Sequence, residues 1–281
     1  MGFLEALSRD RPLILDGGLS TWLGAKGHDL TDELWSARLL FDDPGAIVDA
    51  HLDFIRAGAD VITTASYQAT EQGFAKRGID RAGFRAALRR SVALAREAIE
   101  RAEVDRPVYV AGSIGPYGAM LADGSEYEGN YGLTVDELVR FHRDRLLVLA
   151  DAGPDGLALE TVPDVLEADA LLEALDGVGV PAWLSYTVEG TRTRAGQSLD
   201  DAFTRTAGLT AIGVNCCEPR DVPGAMAVAA KTGLPTVAYP NTGEWSSGHR
   251  QPLAVWPGVQ LIGGCCYTTP DDIAALSSRA S

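Results

Sequence analysis

The sequence predicts an α/β chain closed into a single (β/α)8 TIM-type barrel, and three observations carry that prediction. Eight short runs rich in Val, Ile, Leu and Ala recur without strict polar alternation, as expected of parallel strands covered on both faces. Helical patterns separate them, and strand-helix repetition implies a parallel sheet. The length of 281 residues suits one such barrel, and eight strands suit closure better than an open doubly wound sheet. No linker-like composition shift or internal repeat divides the chain, so residues 1–281 read as one domain.

The elements follow in order. Met1-Gly2-Phe3-Leu4-Glu5-Ala6-Leu7 reads as a short capping helix before the first strand, Leu13–Asp16. Pro44–Ala57 follows Asp42-Asp43 and stops at Gly58, a capped helix with a glycine terminator, and leads to strand two, Val61–Ser66. Arg81–Ala102, rich in Ala, Leu and Arg, is a long helix before strand three, Val108–Ile114. Gly115–Gly132, with five glycines and three tyrosines, is too irregular for a helix; it reads as an active-site lid, because long loops in compact domains are usually functional.

Thr134–Ala152 opens with the capping box Thr134-Val135-Asp136-Glu137 and precedes strand four, Gly156–Thr161. Helix Pro163–Leu175, strand five Ala182–Val188, helix Leu199–Ala207, strand six Ala211–Cys216, helix Pro219–Lys231 and strand seven Thr236–Pro240 continue the alternation, several helices having Pro near the first turn. Thr242–Val259 has no helical period, so the segment between strands seven and eight is shortened, its helix missing or reduced to a turn. Strand eight, Gln260–Cys265, and helix Pro270–Ser277 complete the set.

The formal net charge of −15 argues against nucleic acid, which needs a basic patch, and against anionic membrane surfaces. No run of about 18 apolar residues could span a bilayer. The N-terminus lacks the basic start and apolar core of a secretion signal, so the expected compartment is the cytoplasm. All four cysteines lie in two adjacent pairs, Cys216-Cys217 and Cys265-Cys266. Neighbouring cysteines rarely bridge each other and cytosolic thiols stay reduced, so clustered cysteines read as metal ligands.

Chemistry in such barrels gathers where strands end at their C-terminal side. The first run ends at Asp16, the second at Thr63-Thr64-Ala65-Ser66, the fourth at Glu160-Thr161, the sixth at Asn215-Cys216, the seventh at Asn241 and the eighth at Cys265-Cys266. A lone cysteine is best read as a small buried hydrophobe; two pairs on one rim read as a metal site. Zinc suits thiolates, and a catalytic zinc keeps one position open. Side chains alternate along a strand, so Cys265 and Cys266 can both ligate only if the backbone turns, which Gly263-Gly264 would permit. The same alternation disfavours joint ligation by Cys216 and Cys217.

At these residues the chain resembles the homocysteine S-methyltransferase family, in particular the bacterial enzymes that use S-methylmethionine or S-adenosylmethionine. The matching stretches cover nearly the whole chain: Leu15-Asp16-Gly17-Gly18, Asp32-Glu33-Leu34-Trp35-Ser36-Ala37, Thr64-Ala65-Ser66-Tyr67-Gln68-Ala69-Thr70, residues 111–119, residues 121–127, Glu160-Thr161, Gly213-Val214-Asn215-Cys216, Tyr239-Pro240-Asn241 and residues 262–270. The resemblance implies that Cys216, Cys265 and Cys266 bind Zn2+ and act through it, with Cys217 structural. It supports Asp16 and Glu160 as partners of the substrate ammonium.

The expected reaction moves a methyl group from a sulfonium donor to the thiol of homocysteine, forming methionine. Gly17 and Gly18 amides with Thr64 or Ser66 are candidates for the substrate carboxylate, and Tyr117, Tyr127, Tyr131, Trp35 and Trp245 for the donor cation. His28, His51, His142 and His249 receive no role. The family usually carries a longer link between strands seven and eight, so the short link here could alter donor choice or leave a surface for a second copy in a homo-oligomer. A non-catalytic zinc barrel would need a closed four-ligand shell, and the sequence offers no evident fourth protein ligand.

Overall fold

The computed structural model describes residues 1–31, 34, 36–242 and 250–280. Asp32, Glu33, Trp35, Trp245 and His249, all quoted above, lie outside the described residues. Eight parallel strands form one sheet: β1 (Leu13–Ile14), β2 (Val61–Thr63), β3 (Tyr109–Ile114), β4 (Gly156–Val162), β5 (Ala182–Tyr186), β6 (Ala211–Asn215), β7 (Thr236–Tyr239) and β8 (Leu261–Ile262). From β2 to β8 each strand pairs with the next, and β8 pairs with β1. The remaining seam is joined by a parallel bridge between Leu15 and Val61. There the Asp16 N–H donates to Val61 O at 3.0 Å and the Asp60 N–H to Ile14 O at 2.7 Å. That seam closes the barrel.

The helices are α1 (Phe3–Leu7), α2 (Leu19–Ala25), α3 (Ser36–Asp42), α4 (Pro44–Arg56), α5 (Glu71–Ala75), α6 (Arg81–Ala102), α7 (Tyr117–Leu121), α8 (Val135–Asp151), α9 (Val165–Leu175), α10 (Leu199–Ala202), α11 (Val222–Ala229) and α12 (Pro270–Ala280). The capping box forms as expected at α8, with Thr134 Oγ1 accepting from the Glu137 N–H and Glu137 Oε2 accepting from the Thr134 N–H. Asp43 caps α4 by accepting from the Ala46 N–H at 3.1 Å. Helices α2, α3 and α5 went unread because five to seven residues are too few to display a period.

Three further expectations change. The segment Gly115–Gly132 is not wholly irregular: it holds α7 and a 3-10 turn at Ser125–Tyr127. Leu199–Ala207 is helical only to Ala202, and a small hairpin, Val188–Glu189 with Arg192–Thr193, extends beyond β5. Among the described residues between β7 and β8 there is no helix, as the sequence suggested. No helix among the described residues is long and apolar enough to cross a membrane.

Two separate apolar clusters follow from strand alternation. The larger packs helices against the outer sheet face. The smaller fills the barrel, with Leu13, Leu15, Val61, Tyr109, Ala111, Ala158, Trp183, Ala211, Val237, Tyr239 and Leu261 joined by Phe3, Ala6 and Leu7 of α1. Phe3 meets Tyr109 edge-on at 5.6 Å and lies 6.3 Å from Trp183, so α1 plugs the N-terminal end of the barrel. Two residues beyond Ala111, Ala158 and Trp183 on the same strand faces stand Ser113, Glu160 and Ser185. The interior thus turns from apolar to polar towards its C-terminal mouth.

Candidate active site

Three thiols meet at that mouth. Cys216 follows β6 with φ +48°, a left-handed conformation that a non-glycine residue keeps only when its surroundings impose it. Its N–H donates to Tyr239 O at 3.2 Å, and its carbonyl accepts from the Thr187 hydroxyl at 3.1 Å. The turn leaves Cys216 lining the mouth while Cys217 sinks into the outer core. Cys265 and Cys266 lie in a turn past β8, pinned by the Cys265 N–H on Pro240 O at 2.8 Å and the Cys266 N–H on Asn241 Oδ1 at 3.0 Å.

Gly263 and Gly264 make this turn possible through space rather than through unusual dihedrals. Neither has a positive φ; a Cβ on Gly263 would run into Leu15 and Asp16, and one on Gly264 into Thr268. Gly18 serves the same end, since a Cβ there would press on the Cys265 carbonyl.

The Sγ atoms of Cys216, Cys265 and Cys266 all lie within 4.8 Å of one another, the Cys216–Cys266 pair at 3.7 Å. The Cys265 and Cys266 thiols, sharing protons with Cys216, hold its sulfur well below the ordinary thiol range, and the same sharing pushes their own titrations up. Tyr127 Oη lies 3.2 Å from Cys216 Sγ, and Asn215 Nδ2 lies 4.0 Å from Cys265 Sγ. Three convergent soft donors on separate elements fit a thiophilic cation in which one position is left to a ligand.

An open cavity spreads over the thiols. Its charged lining is Asp16, Glu126 and Glu160, with no Lys or Arg among the described lining residues. Asp16 accepts from the Thr63 N–H at 2.8 Å and from the Thr63 hydroxyl. Glu160 accepts a hydrogen bond from Ser113 Oγ. Burial, with the neighbouring charge of Glu160, pushes Asp16 up to about 8; burial pushes Glu160 up to about 7.

These two acids give a pH dependence with a definite sign. In the folded, ligand-free protein they keep protons that the unfolded chain releases near pH 4. Their contribution to stability is therefore full below about pH 4 and is lost as pH rises through about 7 to 8. The melting temperature of the ligand-free protein should fall between about pH 5 and about pH 8.5, and Asp16→Asn should flatten that slope. Parallel wild-type and variant profiles in scanning calorimetry would contradict the burial effect.

The other anticipated residues divide. Gly17, Gly18 and Thr64 line the cavity, but the Gly18 N–H is committed to Thr268 O at 3.1 Å. Thr64 Oγ1 accepts from the Ser113 N–H at 3.0 Å and shares a 2.7 Å bond with Ser66 Oγ, which donates to Ser113 O. Ser66 stands behind the wall and is absent from the lining. Tyr117 and Tyr131 pack on each other at 5.3 Å, and Tyr117 packs on Phe141; of the three lid tyrosines only Tyr127 lines the cavity.

His51 and His142 are buried in packing positions, His142 Nε2 lying 2.9 Å from Glu167 Oε1. Sequence reasoning missed Tyr67, Ser113, Glu126 and Tyr239. Ser113 was recoverable, two residues past inward-facing Ala111; Glu126 was not, because a loop has no period from which to read its facing.

A family model described as homocysteine S-methyltransferase matches residues 13–280. Homocysteine S-methyltransferase of Escherichia coli (strain K12) is 43% identical across 98% of this chain and 97% of its own. That alignment runs over 300 positions, longer than this chain, so the relative carries residues absent here. Homocysteine S-methyltransferase 2 of Zea mays is 42% identical across 94% of this chain and 88% of its own. Among solved structures, the metallated form of the homocysteine methyltransferase MmuM from Escherichia coli superposes with a TM-score of 0.87 at 43% identity, covering 97% of each chain.

Proposed function

Because the chain belongs to the homocysteine S-methyltransferase family, we propose that it methylates the thiol of L-homocysteine, forming methionine, with S-methylmethionine or S-adenosylmethionine as donor and Zn2+ held by Cys216, Cys265 and Cys266. The observation that carries this reading is the meeting of three sulfurs, from the ends of β6 and β8, on the floor of a cavity whose charged side chains are all acidic. One chain of residues 1–281 performs the reaction as a single cytoplasmic domain acting on small molecules.

Zinc, when bound, supplies Lewis acidity that turns a thiol with a pKa near 8.5 into a thiolate at neutral pH. The protein's own residues bind and align. Asp16 and Glu160 receive the homocysteine ammonium, which replaces the protons that burial makes them keep. Thr63 and Ser113 hold the two carboxylates in place through the bonds described above. The homocysteine carboxylate is assigned to the backbone at Gly17, because the Gly18 N–H is spent on Thr268 O and the Thr64 hydroxyl proton on Ser66 Oγ, which itself donates to Ser113 O.

Tyr127 stands against the Cys216 sulfur, its hydroxyl 3.2 Å away, and lines the cavity beside it. No general base acts at the methyl carbon, so the buried histidines are not needed. Alignment of two bound reactants is the protein's main contribution.

Zinc quantification alongside a methionine-formation assay with both donors tests the reading. Glu160→Gln, which keeps shape and removes charge, should raise the KM for homocysteine by about 10- to 100-fold, the worth of one hydrogen bond to a charged group. Its zinc content should stay at the wild-type level. Loss of zinc in step with activity would remove Glu160 from substrate binding and place it in support of the metal.

A further inference from the structure

Glu126 sits on the lid, in the 3-10 turn Ser125–Tyr127. Its side chain lines the cavity, the residue is only 5% exposed, and Oε2 has no hydrogen-bond partner among the described residues. Burial pushes its titration up. A buried carboxyl oxygen without a hydrogen-bond donor is costly unless a ligand meets it.

The position is built. Gly118 of α7 packs so closely on Ser125 and the Glu126 backbone that no Cβ fits between them. The N–H groups of Glu128 and Gly129 both donate to Ser125 O at 3.0 Å. The first turn of α7 is tied down from beneath, the Tyr117 N–H donating to Glu167 Oε1 at 2.6 Å and Arg145 donating to Gly115 O and Tyr67 O. The backbone that carries this carboxylate is therefore fixed at the cavity wall beside Tyr127.

The cavity's other two acids accept hydrogen bonds from Thr63 and Ser113 and suit a cation that itself donates N–H groups. A sulfonium carries full positive charge and no N–H. Its complement is an anion close by through space, with an oxygen that receives no hydrogen bond, beside the face of an aromatic ring. We propose that Glu126 is the counter-charge for the sulfonium of the methyl donor and makes the site prefer that cation to the neutral thioether left after transfer. The inference rests on the methyl transfer proposed above.

In that step the homocysteine thiol has already lost its proton to solvent. The thiolate pair forms the new C–S bond, and the donor's S–CH3 bond breaks with its electron pair staying on the donor sulfur, which becomes neutral. The attraction to Glu126 thus disappears as the reaction proceeds. It stabilises the bound donor more than the transition state, so removing it should weaken donor binding without slowing the bound complex.

The test compares zinc-loaded wild type with Glu126→Gln, using S-methylmethionine and S-adenosylmethionine as donors and methionine as the neutral thioether probe. For Glu126→Gln the donor KM should rise at least about tenfold, with kcat unchanged or higher. The homocysteine KM, the inhibition constant for methionine and the zinc content should not move. The ligand-free variant should melt at the same temperature or a few degrees higher, about what relief of one buried, undonated charge gives.

A purely structural role predicts the opposite, a lower melting temperature and a loss shared by donor and methionine alike. An unchanged donor KM in an active enzyme, or methionine inhibition weakened in parallel, would overturn the inference while leaving the reaction standing. A wild type that forms no methionine from either donor would remove both.

Discussion

Cys265→Ser is expected to abolish metal retention and to lower methyl transfer by about a thousandfold or more, roughly 4 kcal/mol of barrier, while the barrel stays folded. The loss follows from chemistry at one atom. A serine oxygen stays protonated at neutral pH and is a poor ligand for a thiophilic ion, and two remaining sulfurs cannot hold one firmly. Persistence of the fold follows from size. The core runs from the α1 plug through the barrel to the helical shell, so the chain needs no metal to fold.

Metal analysis, turnover and far-UV circular dichroism should therefore separate: the first two collapse and the third is retained. Chelation of the wild type should reproduce the same pattern and be reversed by zinc. Full turnover with zinc retained in Cys265→Ser would refute the ligand assignment. Coincident loss of circular dichroism would show instead that the ion organises the fold.

Gly213→Ala should be the most destabilising single methyl added at the site. Gly213 pairs with Val237 across β6 and β7, and a Cβ there would penetrate the Val237 carbonyl. Its neighbour is main chain in a closed sheet, so no rotamer change relieves the clash. Overpacking in a core usually costs about 1–3 kcal/mol and more where backbone must move; the upper end or beyond is expected, several degrees or more in melting temperature.

The damage should also reach the metal. Cys216 lies three residues on, with its strained backbone held by Tyr239 O at the end of β7. Separation of β6 from β7 loosens that hold, so zinc affinity should fall with stability. Gly132→Ala, at a position with open space but φ +72°, is the useful contrast: a moderate backbone cost and no effect on zinc. Equal melting temperatures for Gly213→Ala and wild type would show that the sheet yields more easily than its geometry implies.

Much of the barrel was legible because each strand announced itself locally. Runs such as Val108–Ile114 and Gly156–Thr161 differ from the structural strands by a residue at one end. The largest difference among the strands falls on β8, which keeps only two residues in the ladder, as does β1. Their final residues, Asp16 and Cys265-Cys266, leave the ladder to build the rim, and composition does not record where pairing gives way to a turn. The short helices α2, α3, α5 and α7 and the hairpin after β5 lacked a readable period for the same reason of length.

By itself the sequence determined the strand count, the acidic character, the pairing of cysteines at strand ends six and eight, and the residue types able to carry thiol chemistry. All of these are local quantities: composition, spacing and the rule that strand ends share one mouth. Only the tertiary structure decided that Cys216 turns inward while Cys217 does not, that Gly18 and Gly263 are small so that β1 can pass against the cysteine turn, and that Ser66 supports Thr64 from behind. It also decided that Glu126 reaches the cavity at all. Each of these depends on contacts between segments tens to hundreds of residues apart, and close packing, which tolerates no misplaced methyl group, selects among orientations that the chain leaves equally open.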